Sequence, residues 1–207
     1  MRIRISYQKL LPIRFTSALD MQRIWERSIR RAGFKITYSQ GYHPQPKIQL
    51  GLPLPLGFIS EDEKVDIWLE NDIDKELIKA NLEPNIPDGL EINQIEKIDP
   101  SSKPLVTLLK ISEYAVRFWD DNINKFNFNH SISDLLQEKE IIRKKRNNKS
   151  YDLRPLILDL HQVEAKDDFN LFMALKSEQN QMGRADEVMF ALGYELNAFL
   201  IKRLRSY

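Results

Sequence analysis

RFTSALDMQRIWERSIRRAGFKITYSQGYHPQPKIQLGLPLPLGFISEDEKVDIWL, residues Arg14 to Leu69, reads as a capped basic helix, a polar loop, a short strand, a Pro-Leu turn and a second strand. Ser17 is placed to cap the helix, with Asp20 three residues on as a short-armed capping-box acid. Gly33 supplies the stop. At about 100° per residue, Met21, Trp25, Ile29 and Ala32 fall on one face, with Ala18 beside them. Arg23, Arg27, Arg30 and Arg31 fall on the opposite face, within an arc of roughly 100°. One helix therefore offers an apolar stripe and four guanidinium forks. A solvated face whose last arginines favour the helix C-terminus accounts for the same pattern.

Upstream, Arg2 to Tyr7 alternates Arg, Ile, Arg, Ile, Ser, Tyr, a half-buried strand with Ile3, Ile5 and Tyr7 on one side. Ser39 to Pro46 is irregular because Gly41, Pro44 and Pro46 break any regular pattern. Lys47 to Leu50 is a strand candidate, and Leu52 to Leu56 is an extended turn, since each residue before a proline is pushed out of the helical region. Glu63 to Glu70 alternates with Val65, Ile67 and Leu69 facing one way. Asp74 to Asn81 is a short helix and Leu90 to Glu96 a fourth strand. The order strand, helix, strand, strand, helix, strand predicts an α+β fold with a ferredoxin-like βαββαβ subdomain over residues 1–100.

Asp99 to Pro104 is the best linker. Beyond it, residues 105–207 read as a second, less regular antiparallel α+β subdomain. Thr107 to Trp119 reads as a long strand and Ser131 to Glu138 as a short capped helix. Glu140 to Arg146 and Ser150 to His161 read as two strands of a hairpin turning at Asn147-Asn148. Phe169 to Ser177 is another strand and Arg184 to Leu192 a helix. No long repeat stands out.

The chain has 207 residues, 42% hydrophobic and 29% charged, as in a folded soluble protein. No apolar run reaches membrane-spanning length, and the N-terminus lacks the pattern of a signal peptide, so a cytoplasmic location is expected. There is no cysteine, which excludes disulfides, thiolate metal sites, a Cys nucleophile and a Cys-ligated iron–sulfur cluster. Net charge is only +1, yet its distribution is lopsided. Residues 1–50 carry ten Lys/Arg against Asp20 and Glu26, and residues 60–100 carry thirteen Asp/Glu against four Lys. Such asymmetry predicts a polyanion-facing side, or segments that neutralise one another in the fold.

Candidate binding residues cluster in two places. Tyr38, Tyr42, His43 and Lys47 lie close together in the loop, where aromatic faces and a cation suit an unstacked base and its phosphate. The stretch Arg143 to Lys149 puts five cations about a hairpin tip, with Arg143 and Lys145 on one face, able to follow a phosphate backbone or to solubilise the tip. His130 and His161 have no neighbours at ligand spacing, so no metal or other cofactor is expected. His43 has no legible acid partner, which argues against catalysis.

The run SALDMQRIWERSIRRAGFKITYSQGYHPQPKIQLGLPLPLG resembles the radical-SAM-linked proteins, a domain family found alone or fused behind a cobalamin-type radical SAM enzyme. Ser17, Leu19, Asp20, Arg30, Arg31, Tyr38, Ser39, Gly41, Tyr42, Pro44, Pro46, Pro53, Leu54 and Gly57 carry the resemblance. YDLRPLIL (Tyr151 to Leu158) and GRADEVMFALG (Gly183 to Gly193) carry it to the C-terminal half. Ala18 departs from the family's common His, and Ala185 from its common Pro. The resemblance implies a radical SAM enzyme as partner. A chain without cysteine cannot itself be that enzyme, whose core needs three.

These features lead us to expect a non-catalytic accessory protein that binds RNA, or presents substrate, for a radical SAM enzyme. The expected contacts are Arg23, Arg27, Arg30, Arg31, Tyr38, Tyr42, His43, Lys47, Arg143 and Lys145. The alternatives are a stand-alone enzyme acting on RNA through Tyr38, His43 and Lys47, and a scaffold whose basic helix meets an acidic protein.

Overall fold

Strand β1 (Arg2–Lys9) opens the first of two compact units, residues 1–109 and 110–207. The structure, a computed structural model, describes residues 1–119, 125–144, 148–166, 169–178 and 181–207. Helix α1 (Ala18–Arg31) follows β1, then β2 (Ile48–Leu50), β3 (Ile59–Trp68), α2 (Lys75–Leu82), β4 (Leu90–Ile98) and a single turn, α3 (Leu105–Leu108). The four strands pair antiparallel in the order β2, β3, β1, β4.

Register explains the core of this unit. Ile3 stands opposite Ile67 and Ile5 opposite Val65, so the apolar halves of both strands share one face. Trp25 and Ile29 of α1 and Ile78 and Leu82 of α2 cover that face and are fully buried. The ring of Tyr7 meets Trp25 edge-on, centroids 4.9 Å apart. Ser17 caps α1 as its spacing predicts, accepting from the Asp20 amide. Gly33, at φ 83°, turns the chain out of the helix at a backbone conformation that suits only glycine well.

The opposite face of the sheet holds a buried ionic cluster. Asp66, fully buried, accepts from Arg2 at 2.5 and 3.1 Å and from Arg4 at 2.8 and 3.0 Å. Arg2 also donates to the carbonyls of Ser102 and Lys103. The stretch expected to be a linker is thus tied to the first strand. Leu105 and Leu109 continue the attachment, packing at Gly51, where a Cβ would stand 3.1 Å from the Leu109 side chain.

The second unit contains β5 (Ile111–Phe118), α4 (Lys125–Gln137), a small hairpin β6 (Ile142–Lys144) and β7 (Ser150–Asp152), then β8 (Ile157–Lys166) and β9 (Phe169–Glu178). β10 (Gln181–Met182), α5 (Ala185–Ala191) and β11 (Phe199–Ser206) complete it. Its long strands pair antiparallel in the order β8, β9, β5, β11, with β10 against the end of β9. This repeats the pairing scheme of the first unit strand for strand. Phe118 of β5, Phe128 of α4 and Tyr194 beyond α5 form a ring cluster with centroids 4.9–5.9 Å apart.

Three expectations change here. Residues 107–108 belong to α3, and the strand begins at Ile111. The hairpin is shorter than its apolar pattern, because a 3-10 turn at Arg154–Leu156 separates β7 from β8. Pro155 sits in that turn, and a proline lacks the amide a central strand needs. β11, unread in the sequence, pairs with β5 from Phe199 opposite Phe118 to Ser206 opposite Ser112. The fold as a whole is mixed α+β and dominated by sheet.

Candidate nucleic-acid interface

Burying Met21, Trp25 and Ile29 turns Arg23, Arg27 and Arg30 outward, and all three are exposed. Arg30 forms an ion pair with Glu26, one turn back, at 2.7 Å. It also donates to the phenol of Tyr38, the ring lying 5.9 Å from its guanidinium carbon. That hydrogen bond, followed by the Glu26 charge, raises the Arg30 pKa. Arg23 stands 3.5 Å from Asp20. The Arg27 side chain makes no ion pair or hydrogen bond to any described residue. Arg31 turns the other way and donates to the Asn85 carbonyl at 2.9 Å.

The loop has a stapled neck and an outstanding tip. At the neck, Tyr38 bridges to Pro46, the Ser39 amide donates to Gln45 O at 2.8 Å, and the Gln45 amide donates to Ser39 Oγ at 2.9 Å. The Lys47 amide donates to Thr37 O, and Lys47 O accepts from Trp68, which moors the neck to β3. Gly41, Tyr42, His43 and Pro44 project beyond it, Tyr42 with its surface wholly exposed. The side chains of Tyr42, His43 and Lys47 bond to no described residue.

Eight of the expected contacts therefore lie in the first unit, and the Arg30–Tyr38 bond joins helix face to loop. Arg143 is different. Its Nε donates to Glu187 at 2.6 Å and its guanidinium lies 6.0 Å from the Phe190 ring. That charge is neutralised inside the second unit. Lys145 lies outside the described residues.

The sequence reading passed over Lys9 and Glu63, which are only 3% and 6% exposed. A signal for them exists. Lys9 continues the inward stripe Ile3, Ile5, Tyr7, and Glu63 precedes Val65 and Ile67 on the inward side of β3. Among the described residues no group of three His, Asp or Glu could hold a metal, and no helix is long and apolar enough to cross a membrane.

A comparison with curated proteins yields no match. Among solved structures, a chain of a Cbf5–Nop10–Gar1 complex aligns with TM-score 0.52 and 11% identity. The alignment covers 99% of this chain and 48% of that one, so this chain spans about half its length. At this identity the likeness speaks to the fold alone. A chain described as a dyp-type peroxidase protein from Shewanella oneidensis aligns over 92% of this chain and 82% of its own at 12% identity. Its TM-score of 0.23 carries no structural argument. The model of a family described as uncharacterized proteins conserved in bacteria, DUF2344, matches residues 2–185. This chain belongs to that family.

Proposed function

We propose that this protein is a non-catalytic, RNA-binding accessory module of the cytoplasm, working with a radical SAM enzyme. One observation carries the RNA reading: the Arg30–Tyr38 bond joins the outward face of α1 to the neck of the loop whose tip carries Tyr42. The helix face offers guanidinium groups that suit phosphates, and the loop tip a fully exposed tyrosine ring, Tyr42, that suits an unstacked base. The strand orders β2, β3, β1, β4 and β8, β9, β5, β11 support reading each unit as ferredoxin-like. That fold licenses no function alone. The partner enzyme rests on the sequence resemblance of residues 17–57, 151–158 and 183–193.

The test replaces Arg23, Arg27 and Arg30 by Gln and titrates bulk tRNA at several salt concentrations. Removing one cation from a single-strand phosphate should flatten the slope of log affinity against log salt by about 0.7. Unchanged slope and affinity would remove the reading.

A further inference from the structure

The approach to α1 and the Pro-Leu turn leave an apolar patch in solvent. Leu11, Phe15, Leu19 and Leu56 are 42%, 68%, 59% and 57% exposed. Backbone contacts hold their segments together. The Gly57 amide donates to Arg14 O at 2.9 Å, and a Cβ on Gly57 would stand 3.5 Å from the Phe15 ring. Ala18, beside Leu19, lines a narrow crevice together with Pro53 and Leu54. The Leu10 amide donates to Gly89 O, and a Cβ on Gly89 would stand 3.1 Å from Pro12, which brings Asp88 to the Leu11 end of the patch. Leu19 heads the row Arg23, Arg27 at four-residue spacing, on the side of α1 turned away from the core. Single apolar residues scattered over a surface need no explanation, but several gathered in one place mark a contact site.

The charges on the rim decide what covers it. The Arg14 guanidinium lies 4.7 Å from the Phe15 ring centroid, and its side chain makes no ion pair or hydrogen bond to any described residue. The exposed Asp88 side chain makes none either. Asp20 and Arg23, both more than half exposed, stand 3.5 Å apart near Leu19. Two cations and two carboxylates therefore balance around the apolar centre. An anionic lipid surface or a phosphate backbone would meet both carboxylates, and leucine offers no flat face to a base. A second copy of the same patch suits it better. Across a two-fold axis every contact occurs twice, residue i on j and j on i, so an Arg14 and an Asp88 left without partners in one copy can satisfy each other between two. A contact centred on four large side chains is at the small end of specific interfaces, which corresponds to a Kd of about 10–100 µM.

We propose that this patch is the self-contact of a two-fold dimer of this chain, with Phe15, Leu19 and Leu56 at its centre and Arg14 against the partner's Asp88. The proposal stands apart from the RNA-binding reading above. The test is sedimentation velocity of the full chain from about 1 to 500 µM, a range that brackets the expected Kd. The wild type should pass from monomer to dimer. The double variant Leu19→Gln, Leu56→Gln changes two exposed side chains without altering charge, and Gln is a good helix former, so folding is spared. It should raise Kd by about tenfold or more, the loss expected of residues at an interface centre. Arg14→Glu and Asp88→Lys should each weaken the dimer about fivefold or more, and the two together should restore it, because the reversed pair attracts again. Flotation with vesicles of phosphatidylcholine and phosphatidylglycerol, and titration with bulk tRNA, test the other occupants. A wild type that stays monomeric over the whole range overturns the proposal. So does a dimer that the double leucine variant leaves intact, or a monomer whose binding to vesicles or tRNA that variant abolishes.

Discussion

The two units share a pairing scheme and spend their charges differently. In each, the first strand is flanked by the third and the fourth, and a connection of equal length, residues 10–47 or 119–156, leads to the second. The first connection carries α1 and an irregular loop whose cations face solvent. The second carries α4 and a hairpin whose Arg143 is consumed by Glu187. A basic run is therefore no measure of a basic surface. What decides is whether the fold brings a carboxylate to it.

The largest test of this contrast lies in the buried charges. Asp66→Ala strands two guanidinium groups, one of them 2% exposed, and should cost about 3–5 kcal/mol in urea unfolding. Glu187→Ala releases a partly exposed Arg143 and should cost about 1 kcal/mol or less. Equal costs would break the distinction between a sealed pair and a surface one.

Binding gives the next. Tyr42→Ala should weaken RNA binding by about 1–3 kcal/mol without changing the unfolding midpoint. Arg27→Gln should flatten the salt slope by about 0.7, the worth of one phosphate contact. Arg143→Gln should leave it unchanged, because its partner is already within the protein; a slope lowered equally by both would return the hairpin to the interface.

The smallest expected effect sharpens the picture of the second unit. Burial, then the nearby charge of Glu187, pushes the Tyr151 phenol up to about 12, against about 10 in an unfolded chain. The folded state then keeps a proton that the unfolded state loses. The associated stability is complete below pH about 10 and disappears as pH rises towards about 12. In an absorbance titration of tyrosinate, Tyr151→Phe should delete a late-titrating component; loss of an early one instead would refute the assignment.

Much of the first unit was legible because its signals are local. The Ser17 cap, the α1 stripe and the alternation of β1 each reside within a few residues. The second unit hid its kinship because β11 breaks the alternation rule. Arg203 is 2% exposed beside the Tyr114 ring, while Leu204 is only partly buried. Without that strand the repeat has no fourth member to recognise. The Arg143–Glu187 pair spans 44 residues, beyond any periodicity. Lys9 and Glu63 were readable, since each extends an inward stripe by one step.

The interior position of β1 has a consequence for the order in which the chain is made. Synthesis runs from the N-terminus at about 5–20 residues per second, so roughly 3–10 s pass between Lys9 and the first residue of β3. For that interval the nascent strand has neither neighbour, and both its edges are open to pairing with other chains. Arg2, Arg4 and Lys9 put three like charges along those eight residues, and charged side chains are a common means of keeping an open strand from its own kind. The same guanidinium groups that later close on Asp66 thus guard the strand until the carboxylate exists.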